Sequence, residues 1–153
     1  MITKDQVLEA QQRWAQALIS IGEKADDLKQ CTRHARQQID LLYAWQQGEV
    51  LFKPTNAAEI PFRTDPASAL SYFVGGNENF PEDQGFALQP WKEIQFENVG
   101  MCLNTHTALA MGHYYFTDYN QTTVEVEFSF GYVKDKSDLL KIQLHHSSLP
   151  YQR

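Results

Sequence analysis

The residues best suited to chemistry lie near the end of the chain, in LHHSSLP at 144–150. Two histidines and two serines stand there at the end of a run whose pattern predicts a strand. Neighbouring residues on a strand point to opposite faces of the sheet, so His145 and His146 cannot chelate one metal ion in a regular strand. Strict alternation predicts that His146 shares the apolar face and points into the protein. It predicts that His145 points outward.

An inward imidazole at His146 has two interpretations. It is either a structural histidine bonded to its surroundings, or an acid–base group or ligand donor, because imidazole titrates near neutrality. Catalysis would also need a carboxylate, and Asp118 is the candidate partner. The face that Asp118 occupies depends on the turn around Asn120, because a slip of one residue moves every side chain of a strand to the other face. The same ambiguity applies to His106 and His113.

The elements that position these groups follow two periods. Apolar residues recur at steps of three and four over residues 7–21 and again over 28–42, which predicts two amphipathic helices. Asp65 and Pro66 are typical of a helix start and predict a short third helix over 65–74. A short strand is expected within 49–55, and strands separated by turn residues are expected over 91–148. Helices followed by a meander of strands favour an α+β fold.

Several aromatic side chains fall where they could either pack a core or line a cavity. If there is a ligand pocket, the loop at 76–90, which has no periodicity, is expected to form part of its rim. The predicted ligand-binding residues are Tyr43, Phe52, Phe73, Phe128, Tyr132 and His146.

Bulk composition limits the class of protein. The 153 residues are compatible with a single domain over 1–153, and the net charge of -6 argues against a nucleic-acid partner. Cys31 and Cys102 are far apart and lack metal-site spacing, so we interpret them as reduced thiols of a cytoplasmic protein. The first residues lack the apolar stretch of a signal peptide, and no apolar run approaches the about 18 residues needed to span a membrane. We therefore expect no metal, no cofactor and no membrane partner.

Three stretches carry a resemblance to a known family: LYAWQQGEVLFKPT at 42–55, RTDPASALSYF at 63–73 and LLKIQLHHSSLP at 139–150. They resemble the nuclear transport factor 2-like superfamily. Within it they are most similar to small bacterial proteins resembling the association domain of calcium/calmodulin-dependent protein kinase II. The resemblance implies a cone in which a curved antiparallel sheet wraps over N-terminal helices.

The chain also departs from that family pattern. QQGE stands where the family has an Asp before the first strand, Glu127 replaces an Arg, and Leu140 replaces a Trp. No kinase motif is present. The resemblance therefore implies assembly and ligand binding, and any polar pocket built on the family's Asp or Arg is not expected.

Two functional hypotheses follow. The first is a non-catalytic oligomerising domain whose cone cavity can hold a small apolar ligand. The alternative is a cofactor-independent isomerase, dehydratase or cyclase with a His/Asp acid–base pair in the cavity. No acidic residue falls on the unambiguous apolar faces, and this favours the first hypothesis.

The outward faces of the last two strands carry polar groups of mixed sign, which predicts a homodimer built on them. If residues 134–138 close the hairpin, Glu127 is expected opposite His145. Protonation of that histidine below about pH 6 would then perturb the interface. The predicted interface residues are Glu125, Glu127, Lys141, Gln143 and His145.

Overall fold

Three helices and five strands account for most of residues 1–153, all of which the computed structural model describes. The helices are α1 (Lys4–Gly22), α2 (Leu28–Leu42) and α3 (Pro66–Val74). The strands are β1 (Leu51–Lys53), β2 (Trp91–Leu103), β3 (Thr107–Asp118), β4 (Thr123–Lys134) and β5 (Leu140–Ser148). This arrangement confirms the predicted α+β class.

Each helix begins at a side chain that accepts a hydrogen bond from its first turn. Thr3 forms a reciprocal capping box with Gln6 at the start of α1. Asp27 accepts from the backbone of Gln30 in α2, and Asp65 does the same for α3, which has a proline at its first position. Such caps satisfy backbone N–H groups that have no partner inside the helix. The helix starts were therefore predictable from local sequence.

The strands form one sheet in the order β1-β5-β4-β3-β2. The predicted meander from β2 to β5 is antiparallel throughout, while β1 pairs parallel to β5 and makes the sheet mixed. α1 packs across the concave side of this sheet, and Trp14 contacts the rings of Phe96, Phe116 and Phe130. No helix of the chain combines the length and the apolar character that a membrane crossing requires.

A β-bulge interrupts β5 one residue after Ile142. Ile142 pairs with Tyr132, but the next pair is Leu144 with Gly131, so Gln143 is an extra residue on this strand. A β-carbon at Gly131 would lie 3.0 Å from the Cβ of Leu144, so a glycine there leaves room for that side chain. A bulge moves all following side chains to the opposite face.

The bulge reverses the predicted orientation of both histidines. His145 is 1% exposed and lies inside the cone, whereas His146 is exposed on the outer face. The predicted Glu127–His145 pair is also wrong, because His145 lies opposite Phe130 and Glu127 lies opposite Ser148. His145 is therefore not an interface residue. The strict alternation used for the prediction fails at one inserted residue.

The loop at 76–90 is held in place by a buried arginine. Arg63 is fully buried and binds both carboxylate oxygens of Asp83, at 2.7 and 2.8 Å. It also donates to the backbone oxygens of Ile60 and Ser68, and Ser71 Oγ donates to Asp83 at 2.6 Å. These hydrogen bonds attach the loop to α3 and to the segment at 60–65 that precedes it.

Candidate active site

The buried imidazole of His145 is the centre of a continuous network of side-chain hydrogen bonds. Its Nδ1 lies 2.8 Å from the Tyr43 hydroxyl, and its Nε2 lies 3.1 Å from the Tyr114 hydroxyl. The ring is stacked on Phe130 at 4.1 Å and on Phe52 at 4.8 Å between centroids. Two aromatic faces and two hydrogen bonds fix both the position and the orientation of the ring.

Three hydroxyl groups extend this network away from Nε2. The Tyr114 hydroxyl lies 2.5 Å from Ser147 Oγ, which lies 2.6 Å from Thr55 Oγ1. Ser147 follows His145 by two residues on β5 and therefore shares its inward face. Thr55 comes just after β1, and the parallel pairing of β1 with β5 brings it beside Ser147. We refer to Tyr114, Ser147 and Thr55 as the hydroxyl chain.

The hydroxyl chain borders a small inner cavity of ≈ 10 Å³ among aromatic rings. That volume is close to the roughly 10–15 Å³ needed to hold one water molecule. A wider pocket of ≈ 650 Å³, the mouth, opens beyond it between the 82–91 segment and the sheet. Thr55, Tyr72 and Phe86 line both spaces. The end of the hydroxyl chain is therefore next to the route from solvent.

Burial keeps the ionisable groups of this site uncharged. Desolvation, followed by the nearby His146, holds the pKa of His145 well below its ordinary value. Desolvation raises the pKa of Tyr43, and it raises the pKa of Tyr114 against the opposing hydrogen bond to Ser147. At neutral pH the network consists of a neutral imidazole and neutral hydroxyls. It can donate, accept and relay protons without placing a full charge in the core.

The lowered pKa of His145 predicts an acid-sensitive stability. Its folded pKa lies below the ordinary 6.5, so the unfolded chain binds the extra proton first as the pH falls. We expect the free energy of unfolding to be highest above pH 6.5 and to fall below it by up to about 1.4 kcal/mol per pH unit, levelling off below the folded pKa. Urea unfolding between pH 5 and 8 measures this dependence.

Two neighbouring histidines provide a matched comparison for that measurement. His145→Gln is expected to flatten the pH dependence, while His146→Gln, at an exposed position, is expected to keep it. An equal pH dependence in wild type and His145→Gln would contradict the assignment.

The structure separates the residues that the sequence grouped together. His146 faces outward. The Asp118 carboxylate lies in the β3–β4 turn, where it accepts hydrogen bonds from the backbone N–H groups of Asn120 and Thr122. The predicted His146–Asp118 acid–base pair is therefore wrong. His113 also lies on the outer face, 3.8 Å from Glu127.

The predicted aromatic residues divide into two groups. Phe52 and Phe73 line the inner cavity, and Tyr43 contacts His145. Phe128 and Tyr132 are buried in the core and line neither the inner cavity nor the mouth.

Sequence reasoning missed Thr55 and Tyr114, and it assigned no role to Ser147 although it singled out the run that contains this residue. The sequence did contain a signal for Ser147. This residue is two positions after His145 on the same strand, so a bulge that turns His145 inward turns Ser147 inward as well. Thr55 and Tyr114 join the site only through strand pairing, and no local pattern marks them.

Comparison with known proteins places this chain in a family. Residues 5–149 match the family model described as metal-independent carbonic anhydrase. The chain belongs to the metal-independent carbonic anhydrase family. A protein of that name from Nostoc sp. is 40% identical over 155 residues, which cover 99% of this chain and 76% of the relative.

Solved structures agree with this family. An iota-carbonic anhydrase from a cyanobacterium, complexed with bicarbonate, superposes with a TM-score of 0.95 at 39% identity, covering 99% of this chain and 94% of that chain. A putative kinase II association domain from Xanthomonas campestris gives a TM-score of 0.64 at 20% identity, covering 100% and 91%. A putative dehydratase of the nuclear transport factor 2-like family from Streptomyces avermitilis gives 0.59 at 14%, covering 97% and 96%. The last two show the fold alone.

These findings correct the functional prediction. A non-catalytic oligomerising domain is wrong as the main interpretation, because the matched family and the 40% identical relative are carbonic anhydrases. The likeness to the kinase association domain holds for the fold and does not extend to function. The alternative, a cofactor-independent catalytic domain, fits these findings better, although the predicted His146–Asp118 pair is not formed.

Proposed function

We propose that this protein catalyses the reversible hydration of CO₂ to bicarbonate without a metal ion. The observation that carries the proposal is the hydroxyl chain, which links the neutral His145 to a cavity at the base of the mouth. Family membership supports it, as does the bicarbonate bound in the structure of the cyanobacterial relative.

The site suits both sides of this reaction. CO₂ is small and carries no net charge, and the base of the mouth beside Thr55 is lined by the rings of Tyr72, Phe86 and Phe116. Bicarbonate needs hydrogen-bond donors around its oxygens, and the Thr55 hydroxyl, at the end of the hydroxyl chain, supplies one at the base of the mouth. An apolar wall beside a few convergent polar groups is typical of small-molecule sites.

A neutral relay accounts for the chemistry. A water molecule bound at Thr55 attacks the carbon of CO₂, and a new C–O bond forms while one C=O π pair moves to oxygen. The water passes a proton to Thr55 Oγ1 as Thr55 passes its own proton to that oxygen. The product is carbonic acid, which ionises to bicarbonate and a proton on release. No step places a full charge among the buried rings, where desolvation would be costly.

The donor set fits the description of the family as metal-independent. The site contains one imidazole with hydroxyl groups, whereas zinc sites use several Cys, His or carboxylate ligands. No group of three or more such side chains is placed to hold a metal ion anywhere in the chain.

Stopped-flow measurement of CO₂ hydration tests the proposal. Purified protein treated with a chelator and checked for residual metal is expected to accelerate hydration as well as untreated protein. His146→Ala serves as a control that keeps the activity, since this side chain lies outside the cone. A rate equal to that of buffer, or an activity that disappears with the chelator, would overturn the proposal.

We also propose that the protein associates with itself through the outer sheet face, as a homodimer. Val99, Leu109 and Met111 are 77%, 50% and 61% exposed on this face, and a cluster of exposed apolar side chains is typical of an interaction surface. The polar residues Glu125, Glu127, Lys141 and Gln143, predicted from the sequence, remain candidates for its rim. Light scattering at micromolar concentration tests this, and a monomer at neutral pH contradicts it.

The cytoplasmic location also stays a prediction.

A further inference from the structure

Two residues, Trp14 and Tyr43, lead to the imidazole of His145 on its Nδ1 side. Trp14 Nε1 lies 3.2 Å from the Tyr43 hydroxyl, which lies 2.8 Å from Nδ1. Both side chains are at least 98% buried, so water does not compete for these bonds. Neither contact is part of the hydroxyl chain, which begins at Nε2.

The first bond has only one possible direction. An indole N–H can donate but cannot accept, so the Tyr43 oxygen accepts from Trp14. The O–H of Tyr43 must then find another acceptor. Nδ1 of His145 is the remaining group within hydrogen-bond distance of that hydroxyl. Tyr43 therefore donates to Nδ1, and Nδ1 carries no proton.

The remaining directions follow along the chain. A neutral imidazole with a bare Nδ1 has its proton on Nε2, which donates to the Tyr114 oxygen. Tyr114 then donates to Ser147, and Ser147 donates to Thr55. The O–H of Thr55 is left without a partner in the hydroxyl chain, at the base of the mouth and beside the Tyr72 hydroxyl. The reverse arrangement would leave the O–H of Tyr43 buried without an acceptor, which is unfavourable.

We infer that Trp14 and Tyr43 are positioning residues that hold the proton of His145 on Nε2 and orient every O–H of the hydroxyl chain towards the mouth. For its consequence this inference rests on the proposed function, because the orientation offers a donor to an oxygen of CO₂ or bicarbonate. The indole N–H also closes the far end of the network. Protons therefore reach the hydroxyl chain from its Thr55 end.

Nitrogen-15 NMR of labelled histidine tests the direction itself. Protonated and bare imidazole nitrogens differ strongly in chemical shift, and the assignment of His145 is confirmed by loss of its signals in His145→Gln. We expect Nε2 protonated and Nδ1 bare at neutral pH. A proton on Nδ1, or on both nitrogens, overturns the inference.

The two tryptophans beside Tyr43 provide a matched pair of variants. Trp45 stacks on Tyr43 at 5.9 Å, but its buried Nε1 has no hydrogen-bond partner. Trp14→Phe is expected to weaken the hydrogen bond from Tyr43 to Nδ1 and to move the Nδ1 resonance accordingly. It is also expected to lower kcat about 10-fold, as loss of a supporting contact to a functional histidine does. Trp45→Phe is expected to change neither. Equal effects of the two substitutions on the Nδ1 resonance overturn the role of Trp14.

Failure of this inference is distinguishable from failure of the proposed function. An inactive protein with Nε2 protonated keeps the direction of the chain and rejects the carbonic anhydrase activity. An active protein with Nδ1 protonated supports the carbonic anhydrase activity and rejects the inferred direction of the chain. If Trp14→Phe does not fold, Tyr43→Phe replaces it. That variant is expected to move the Nδ1 resonance to that of a nitrogen with no donor, and an unchanged resonance overturns the role of Tyr43.

Discussion

Replacing Ser147 with alanine is expected to lower kcat/KM for CO₂ hydration about 100-fold, the size of loss that misplacement of a reacting group produces. Ser147 Oγ is the link between the Tyr114 hydroxyl at 2.5 Å and Thr55 Oγ1 at 2.6 Å. Without it the O–H of Tyr114 has no acceptor on that side, and Thr55 loses its fixed orientation. Stopped-flow hydration assays at neutral pH measure the effect.

The adjacent serine provides the control. Ser148 lies opposite Glu127 on the outer face, so Ser148→Ala removes the same atom from the same strand without touching the site. We expect Ser148→Ala to keep at least half of the wild-type kcat/KM. Circular dichroism checks that both variants are folded. Equal losses in the two variants, or full activity in Ser147→Ala, would show that the hydroxyl chain does not carry the reaction.

Replacing Arg63 with methionine is expected to lower the free energy of unfolding by about 3–5 kcal/mol, the cost of breaking a buried ion pair from one side. Both side chains of the Arg63–Asp83 pair are fully buried. Methionine keeps much of the apolar stem but leaves the Asp83 carboxylate with Ser71 as its remaining side-chain partner. Urea unfolding monitored by fluorescence and circular dichroism measures the change.

A surface arginine and a second substitution make this result interpretable. Arg33→Met, at an exposed position on α2, is expected to change stability by less than about 0.5 kcal/mol. Adding Asp83→Asn to Arg63→Met is expected to restore part of the loss, because the unpaired charge is then removed. A loss below about 1 kcal/mol for Arg63→Met would contradict the view that this pair holds the rim of the mouth.

Local patterns determined the elements of this protein. The apolar period of α1 and α2, the capping residues at Thr3 and Asp65, and the alternation of β4 each depend on residues a few positions apart. The α+β class follows from their order along the chain. The likeness of three stretches to the nuclear transport factor 2-like superfamily added the cone. It pointed to the wrong functional class, because one fold hosts many functions.

The tertiary structure decided which histidine enters the cone. Alternation along β5 is a local rule, but the bulge at Gln143 depends on the partner strand, where Gly131 leaves room for Leu144. One extra residue exchanged the faces of His145 and His146, and with them the candidate partners of each. Sequence periodicity alone does not show where a partner strand accepts an extra residue.

The tertiary structure also assembled the hydroxyl chain. Thr55 and Ser147 are 92 positions apart, and Tyr114 and Ser147 are 33 apart. Their contact depends on β1 pairing parallel to β5 and on β3 and β5 flanking β4. The LHHSSLP run contains His145 and Ser147, two members of the candidate site. The other hydroxyls could not be found from it, because hydrogen bonds join groups by distance in space, and only the paired strands set that distance.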